Sequence, residues 1–188
     1  MRGGVLIVGS LLWDDQHRDA WRRSRLCISE KVHVKAPIYY GRRSQNWGYT
    51  FTMTLSADGP PGQAALVPCT AIIEDVAGLI VEAEALWNAE QSSASQGNIG
   101  ASWGCIGVLF RDESAHADWL TAWVEHFHSR TSPVLPVDDR GILRIPWPLM
   151  ASEARRADVD MVLATATKAE DQRPSADANA DARLGQQN

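Results

Sequence analysis

The chain has 188 residues, 45% of them hydrophobic and 22% charged, a composition that supports a sizeable core in one domain followed by a tail. Its 18 Lys and Arg against 23 Asp and Glu leave a formal charge of −5, which gives no electrostatic basis for nucleic acid or an anionic membrane as a partner. No segment approaches the ~20 apolar residues of a membrane span, and the first apolar stretch is too short for a signal peptide, so the cytoplasm is the expected location.

The first predicted element is a buried strand over residues 4–8, which breaks at Gly9-Ser10 and passes through a loop into a short helical piece ending near Trp21. Alternating or β-branched runs predict strands over 28–39, near 48–56 and over 63–70, bounded by Gly41, Gly48 and the turn Asp58-Gly-Pro-Pro-Gly62. Val76, Leu79, Ile80, Ala83 and Leu86 recur at helical spacing, so residues 74–90 read as an amphipathic helix with Glu90 in its last turn. A polar loop over 91–101 follows, longer than most connections. Residues 103–110 read as a strand, 114–128 as a helix capped by Ser114, and 141–146 as a short strand. A last helix is expected over roughly 149–168. Residues 169–188 carry almost no apolar anchor and read as a flexible tail.

Among these elements the Gly9-Ser10 break carries the strongest chemical signal. Gly9 lacks the Cβ that would shield neighbouring amides, so a turn here exposes backbone N–H groups to a polarised or anionic oxygen. Such a loop needs a partner group, and Glu90 is the candidate: it lies beyond the last apolar anchors of its helix, where the dipole offers a carboxylate nothing.

Other chemistries find less support. Cys27, Cys69 and Cys105 are odd in number and far apart, so they read as small buried residues and indicate neither a disulfide framework nor zinc. His126 and His128 stand at i, i+2 on a helix and point to different faces, which disfavours a metal site. Ser10 lies in no G-x-S-x-G elbow and is disfavoured as a nucleophile. The run Arg22-Arg23-Ser24-Arg25 reads as a solvated face. Of the eight tryptophans most should fill the core, Trp119 and Trp123 at i, i+4 among them, while Trp13 or Trp47 is placed to wall a pocket.

Taken in order, Gly9-Ser10-Leu11-Leu12-Trp13-Asp14, the Arg43-Ser44 step before the run Tyr49–Leu55, and the helix end Leu86-Trp-Asn-Ala-Glu90 resemble the γ-glutamylcyclotransferase-like family. The likeness is to a bacterial branch with Gly-Ser-Leu-Ile-Trp-Asp near its start and spans about residues 4–125. It implies an α+β fold: a small mixed β-barrel or roll with flanking helices. It also implies an intramolecular aminolysis, in which the α-amine of a γ-glutamyl group attacks its own γ-carbonyl to give 5-oxoproline and a free amine or amino acid. That reaction needs no cofactor and no metal. Glu90 would move both protons. The backbone of Gly9, Ser10 and Leu11 would hold the substrate or its oxyanion. Arg43 and Ser44 would bind the α-carboxylate, the guanidinium through paired hydrogen bonds. Val8 stands where many members place an aromatic wall.

The partner implied is a small γ-glutamyl molecule, with the oligomeric state left open. The alternative is a catalytically inactive small-ligand-binding or partner-binding protein on the same fold, which Val8 and the Trp87-Asn88-Ala89 helix end favour. An interaction protein acting through its acidic tail would have the tail alone behind it.

Overall fold

A computed structural model describes residues 1–14, 17–43, 51–91, 97–150 and 158–169, with the side chains of His17, Arg43 and Met150 outside the description. Residues 170–188 of the expected tail and the loop residues 92–96 also lie outside it. The described residues form an α+β structure. Eight strands make one sheet: β1 (Arg2–Ile7), β2 (Val32–Arg43), β3 (Phe51–Leu55), β4 (Pro61–Ile72), β5 (Gly100–Ala101), β6 (Gly104–Phe110), β7 (Leu149–Met150) and β8 (Met161–Thr167). Their order is β3-β2-β4-β1-β8-β6-β5, with β7 on β2. Among the paired strands of the described residues only β1 and β8 run parallel.

β2 serves two partners in succession. Val32–Pro37 pair with β4 and Ile38–Arg43 with β3, and the register slips between Tyr40 and Arg42. The irregularity falls at Gly41, where a Cβ would lie 2.4 Å from the Tyr39 ring and 2.6 Å from Thr54. A slip of this kind bends a strand and sharpens its twist. The sheet accordingly curls until β3 meets β8, although three strands separate them in the order: Thr54 Oγ1 donates to the Thr167 carbonyl at 3.1 Å, and Thr167 Oγ1 to Thr54 Oγ1 at 2.7 Å. At the same closure the Arg42 guanidinium sits 4.2 Å over the Trp103 ring, which stacks in turn on Trp87 at 4.8 Å.

Among the described residues three helices flank this sheet: α1 (His17–Arg25), α2 (Val76–Glu90) and α3 (Ala117–Arg130). Asp75 caps α2 by accepting from the Gly78 amide at 2.8 Å, and Leu79, Ala83, Leu86 and Trp87 turn its apolar stripe into the core. On α3, Leu120, Trp123 and Phe127 are buried, and Trp123 donates its indole N–H to the Gly141 carbonyl. Trp119 packs half-buried against the same core. Cys69 and Cys105 are buried, as expected of small apolar residues; desolvation pushes their thiols up to about 12 and about 11. Cys27 is half-buried.

Several expectations need correction. The helix expected over 149–168 is absent where the chain is described: Leu149–Met150 and Met161–Thr167 are strands. β8 lies between β1 and β6, its first four residues are buried, and a strand covered on both faces shows no alternation to read. Ile28–Glu30 form a 3-10 turn before β2. Residues 141–146 contribute only bridges, Ile142 to Val108 and Leu143 to Val137. The turn before α3 is capped by Asp112, whose carboxylate accepts from the Ser114 amide, the Ser114 hydroxyl and the Ala115 amide; the Ser114 bonds chiefly hold its pKa below the usual range. No helix among the described residues is long and apolar enough to cross a membrane.

Candidate functional site

Gly9 adopts φ 85° and ψ −149°, a conformation essentially reserved for glycine, and it ends β1 by turning the chain into the 3-10 turn Ser10–Leu12. A Cβ built on Gly9 would meet nothing within 4 Å, so backbone geometry rather than crowding demands glycine here. The turn closes through Leu12 N–H to the Gly9 carbonyl and Trp13 and Asp14 N–H to the Ser10 carbonyl. Ser10 and Leu11, ahead of those bonds, open the turn with amides that have no acceptor within it.

Arg18 ties this turn to the end of α2. Its guanidinium donates to Ser10 Oγ at 2.8 Å, to Asp14 Oδ2 at 3.1 Å and to the Ala89 carbonyl at 3.2 Å, and it stands 3.7 Å from Glu90 Oε2. Two motifs eighty residues apart therefore meet at one cation. The Arg18 side chain is 16% exposed and that of Glu90 18%, so both sit in a partly desolvated crevice. With Asp14 included, the cluster offers one guanidinium and two carboxylates around a hydroxyl. An α-amino acid head, cationic at one end and anionic at the other, is complementary to such a set.

The same two helices are joined a second time, where Arg25 Nη1 lies 3.0 Å from Glu82 Oε1. Seven residues on α1 and eight on α2 separate the two Arg–Glu pairs, the spacing of antiparallel helices in contact. Arg22, between them, is buried; it donates to the Leu11 carbonyl at 2.9 Å and pairs with Asp19. The expected solvated face is thus reduced to Arg23 and Ser24, because the helix turns Arg22 under the Gly9 turn and Arg25 toward α2.

A cavity of about 720 Å³ adjoins this turn, lined by Gly9, Leu12 and Trp13 and by Ile7, Ala64 and Ala65 of the sheet. Tyr39, Tyr40 and Met53 also line it. Its size suits a small molecule. Glu90 and Ser10 are not among its lining residues.

The expected site residues thus divide. Gly9, Ser10, Leu11 and Glu90 come together around Arg18 and Arg22, with Val8 half-buried against the core just before the turn. Arg43 ends β2 opposite Phe51, but its side chain and all of Ser44 lie outside the described residues. Trp13 walls the cavity, while Trp47 lies outside the description. Arg18 was missed; the i, i+4 spacing from Asp14 was its one sequence signal. His126 faces Glu84 at 3.7 Å with its Nε2 buried and without a hydrogen-bond partner, and burial lowers its pKa. Among the described residues no group of three or more His, Cys, Asp or Glu is arranged to hold a metal ion. Comparison with protein-family models, curated proteins and solved structures gave no significant match.

Proposed function

We propose that the chain is a γ-glutamylcyclotransferase-like enzyme, built on that family's small barrel or roll, which cyclises a γ-glutamyl group to 5-oxoproline and releases an amine or amino acid. The observation that carries this reading is the meeting of the Gly9 turn and Glu90 at Arg18. In the proposed reaction Glu90 takes a proton from the substrate ammonium, the freed amine attacks the γ-carbonyl, and the new C–N bond closes the ring. The amides of Ser10 and Leu11 face the oxyanion; Glu90 returns its proton to the departing nitrogen as the old C–N bond breaks, and then takes the second proton from the ring nitrogen, which leaves on the released amine as its ammonium form. Arg18 supplies the cation for the α-carboxylate and Asp14 a second anion for the ammonium. One C–N bond forms as another breaks and no atom changes oxidation state, so proton transfer and oxyanion binding by these residues meet the demands of the proposed chemistry.

A specific observation favours a second reading, an inactive small-ligand-binding or partner-binding protein: Glu90 is engaged by Arg18 and does not line the cavity, and the Arg25–Glu82 pair uses the same residue types as a strut. The two readings separate on 5-oxoproline release from a panel of γ-glutamyl amino acids, γ-glutamyl amines and glutathione. The enzyme reading expects release from at least one donor and a loss of about 100-fold or more in Glu90→Gln with its Tm retained. Failure of every donor selects the binding protein.

A further inference from the structure

We propose that the cavity beside the Gly9 turn receives the side chain of the departing amine, and that the substrates are γ-glutamyl amides of uncharged, ring-bearing or branched apolar amines. This substrate class rests on the cyclotransferase reading; the cavity's preference for such a group does not.

The composition of the cavity carries the inference. No Asp, Glu, Lys or Arg lines it among the described residues, and its surface is chiefly aliphatic and aromatic. A charged tail, such as the carboxylate of a γ-glutamyl dipeptide, would lose its hydration there without gaining a counter-charge. The concavity exists because the sheet is lined with small residues at this point: Ile7 and His33 both pair with Ala65, with Ala64 and Gly62 beside it. Gly62 lets the Ile38 side chain pack directly on the strand, since a Cβ there would come within 2.1 Å of Ile38 Cγ1.

At the mouth stand two exposed rings, Trp13 at 59% and Tyr40 at 37%. A tryptophan left that open at the rim of an apolar cavity has a large flat face to offer a ligand ring. Trp13 also belongs to the turn it follows: its own amide closes the turn on the Ser10 carbonyl. A substrate whose γ-carbonyl is held at the Ser10 and Leu11 amides therefore has its departing group beside Gly9, the residue shared by turn and cavity. The exposed His33 and Gln63 supply the polar edge, suited to a hydroxyl or ring nitrogen on that group.

The test has two arms on the full chain. In the first, kcat/KM for 5-oxoproline release is compared between γ-glutamyl-phenethylamide and γ-glutamylglycine. The expected preference for the aromatic amide is about tenfold or more, as for a ring transferred into an apolar site, and Trp13→Ala narrows it. In the second, N-phenethylacetamide, which carries no γ-glutamyl group, is titrated calorimetrically into wild type and Trp13→Ala; it should bind wild type and lose about tenfold in affinity in the variant. Absence of binding to wild type overturns the cavity assignment whatever the first arm shows. Binding without turnover of any donor overturns the substrate class through the reading it rests on, while an unchanged preference in Trp13→Ala removes the ring from the recognition.

Discussion

Replacing Arg18 with Met tests whether one guanidinium holds the turn and the helix end in register. The side chain is 16% exposed and keeps its aliphatic length in the variant, so the loss is confined to polar contacts. Hydrogen bonds from a charged donor to Ser10 Oγ and to the Ala89 carbonyl contribute about 1 kcal/mol each at partial exposure, at the lower end for charged donors. The ion pairs to Asp14 at 3.1 Å and Glu90 at 3.7 Å add about 0.3–0.5 kcal/mol each, since both carboxylates retain water. The sum, about 2–3 kcal/mol, corresponds to a Tm lower by about 4–12 °C in a chain of this size. Urea unfolding followed by far-UV circular dichroism gives the value, with Arg18→Lys as the control that keeps charge and loses the fork; it should fall between. A wild-type midpoint in Arg18→Met would refute the reasoning, because no compensating donor for Ser10 and Ala89 stands on methionine.

Three further perturbations follow from the same geometry. Gly9→Ala should cost about 1–3 kcal/mol by calorimetry through its φ of 85°, with no steric clash to relieve by compensating substitutions nearby. Arg25→Met should destabilise by about 2–4 kcal/mol in urea, because the Glu82 side chain is 6% exposed and would lose its cation, and the added change Glu82→Gln should recover much of that loss. His126 has a folded pKa below its ordinary 6.5, first from burial, against the pull of Glu84 and with the push of Arg130. The unfolded chain therefore takes up this proton more readily, so the contribution is present above about pH 6.5 and lost as pH falls through the folded value. Stability measured from pH 7.5 to 5 should fall more steeply in wild type than in His126→Gln.

The parts of this architecture legible in the sequence are those whose determinants are local. Gly9-Ser10 signals its turn because a positive φ needs glycine, and α2 signals itself through Val76, Leu79, Ala83 and Leu86 on one stripe. β8 did not: buried between β1 and β6, it has apolar residues on both faces, and no alternation sets it apart from a helix. The Asp112 cap lay two residues ahead of the serine chosen, where sequence offers two equally good acceptors. In the candidate site, the nearness of Glu90 to the end of its helix was legible from its place past the apolar anchors, while the contacts of Arg18 were not, since its acceptors Ser10 and Ala89 approach only when α1 packs on α2. The Arg42 position over Trp103 depends on the curl of the sheet, which no pairwise spacing encodes.

The most direct test of the central claim, that the Gly9 turn and the end of α2 form one substrate site, is a crystal structure of the Glu90→Gln variant soaked with a γ-glutamyl amide. The account predicts the γ-carbonyl at the Ser10 and Leu11 amides, the α-carboxylate against Arg18, the α-amine within hydrogen-bond reach of residue 90 and the departing group along Trp13. A γ-glutamyl head bound away from residue 90, with the Arg18 contacts to Ser10 and Asp14 undisturbed, would contradict it.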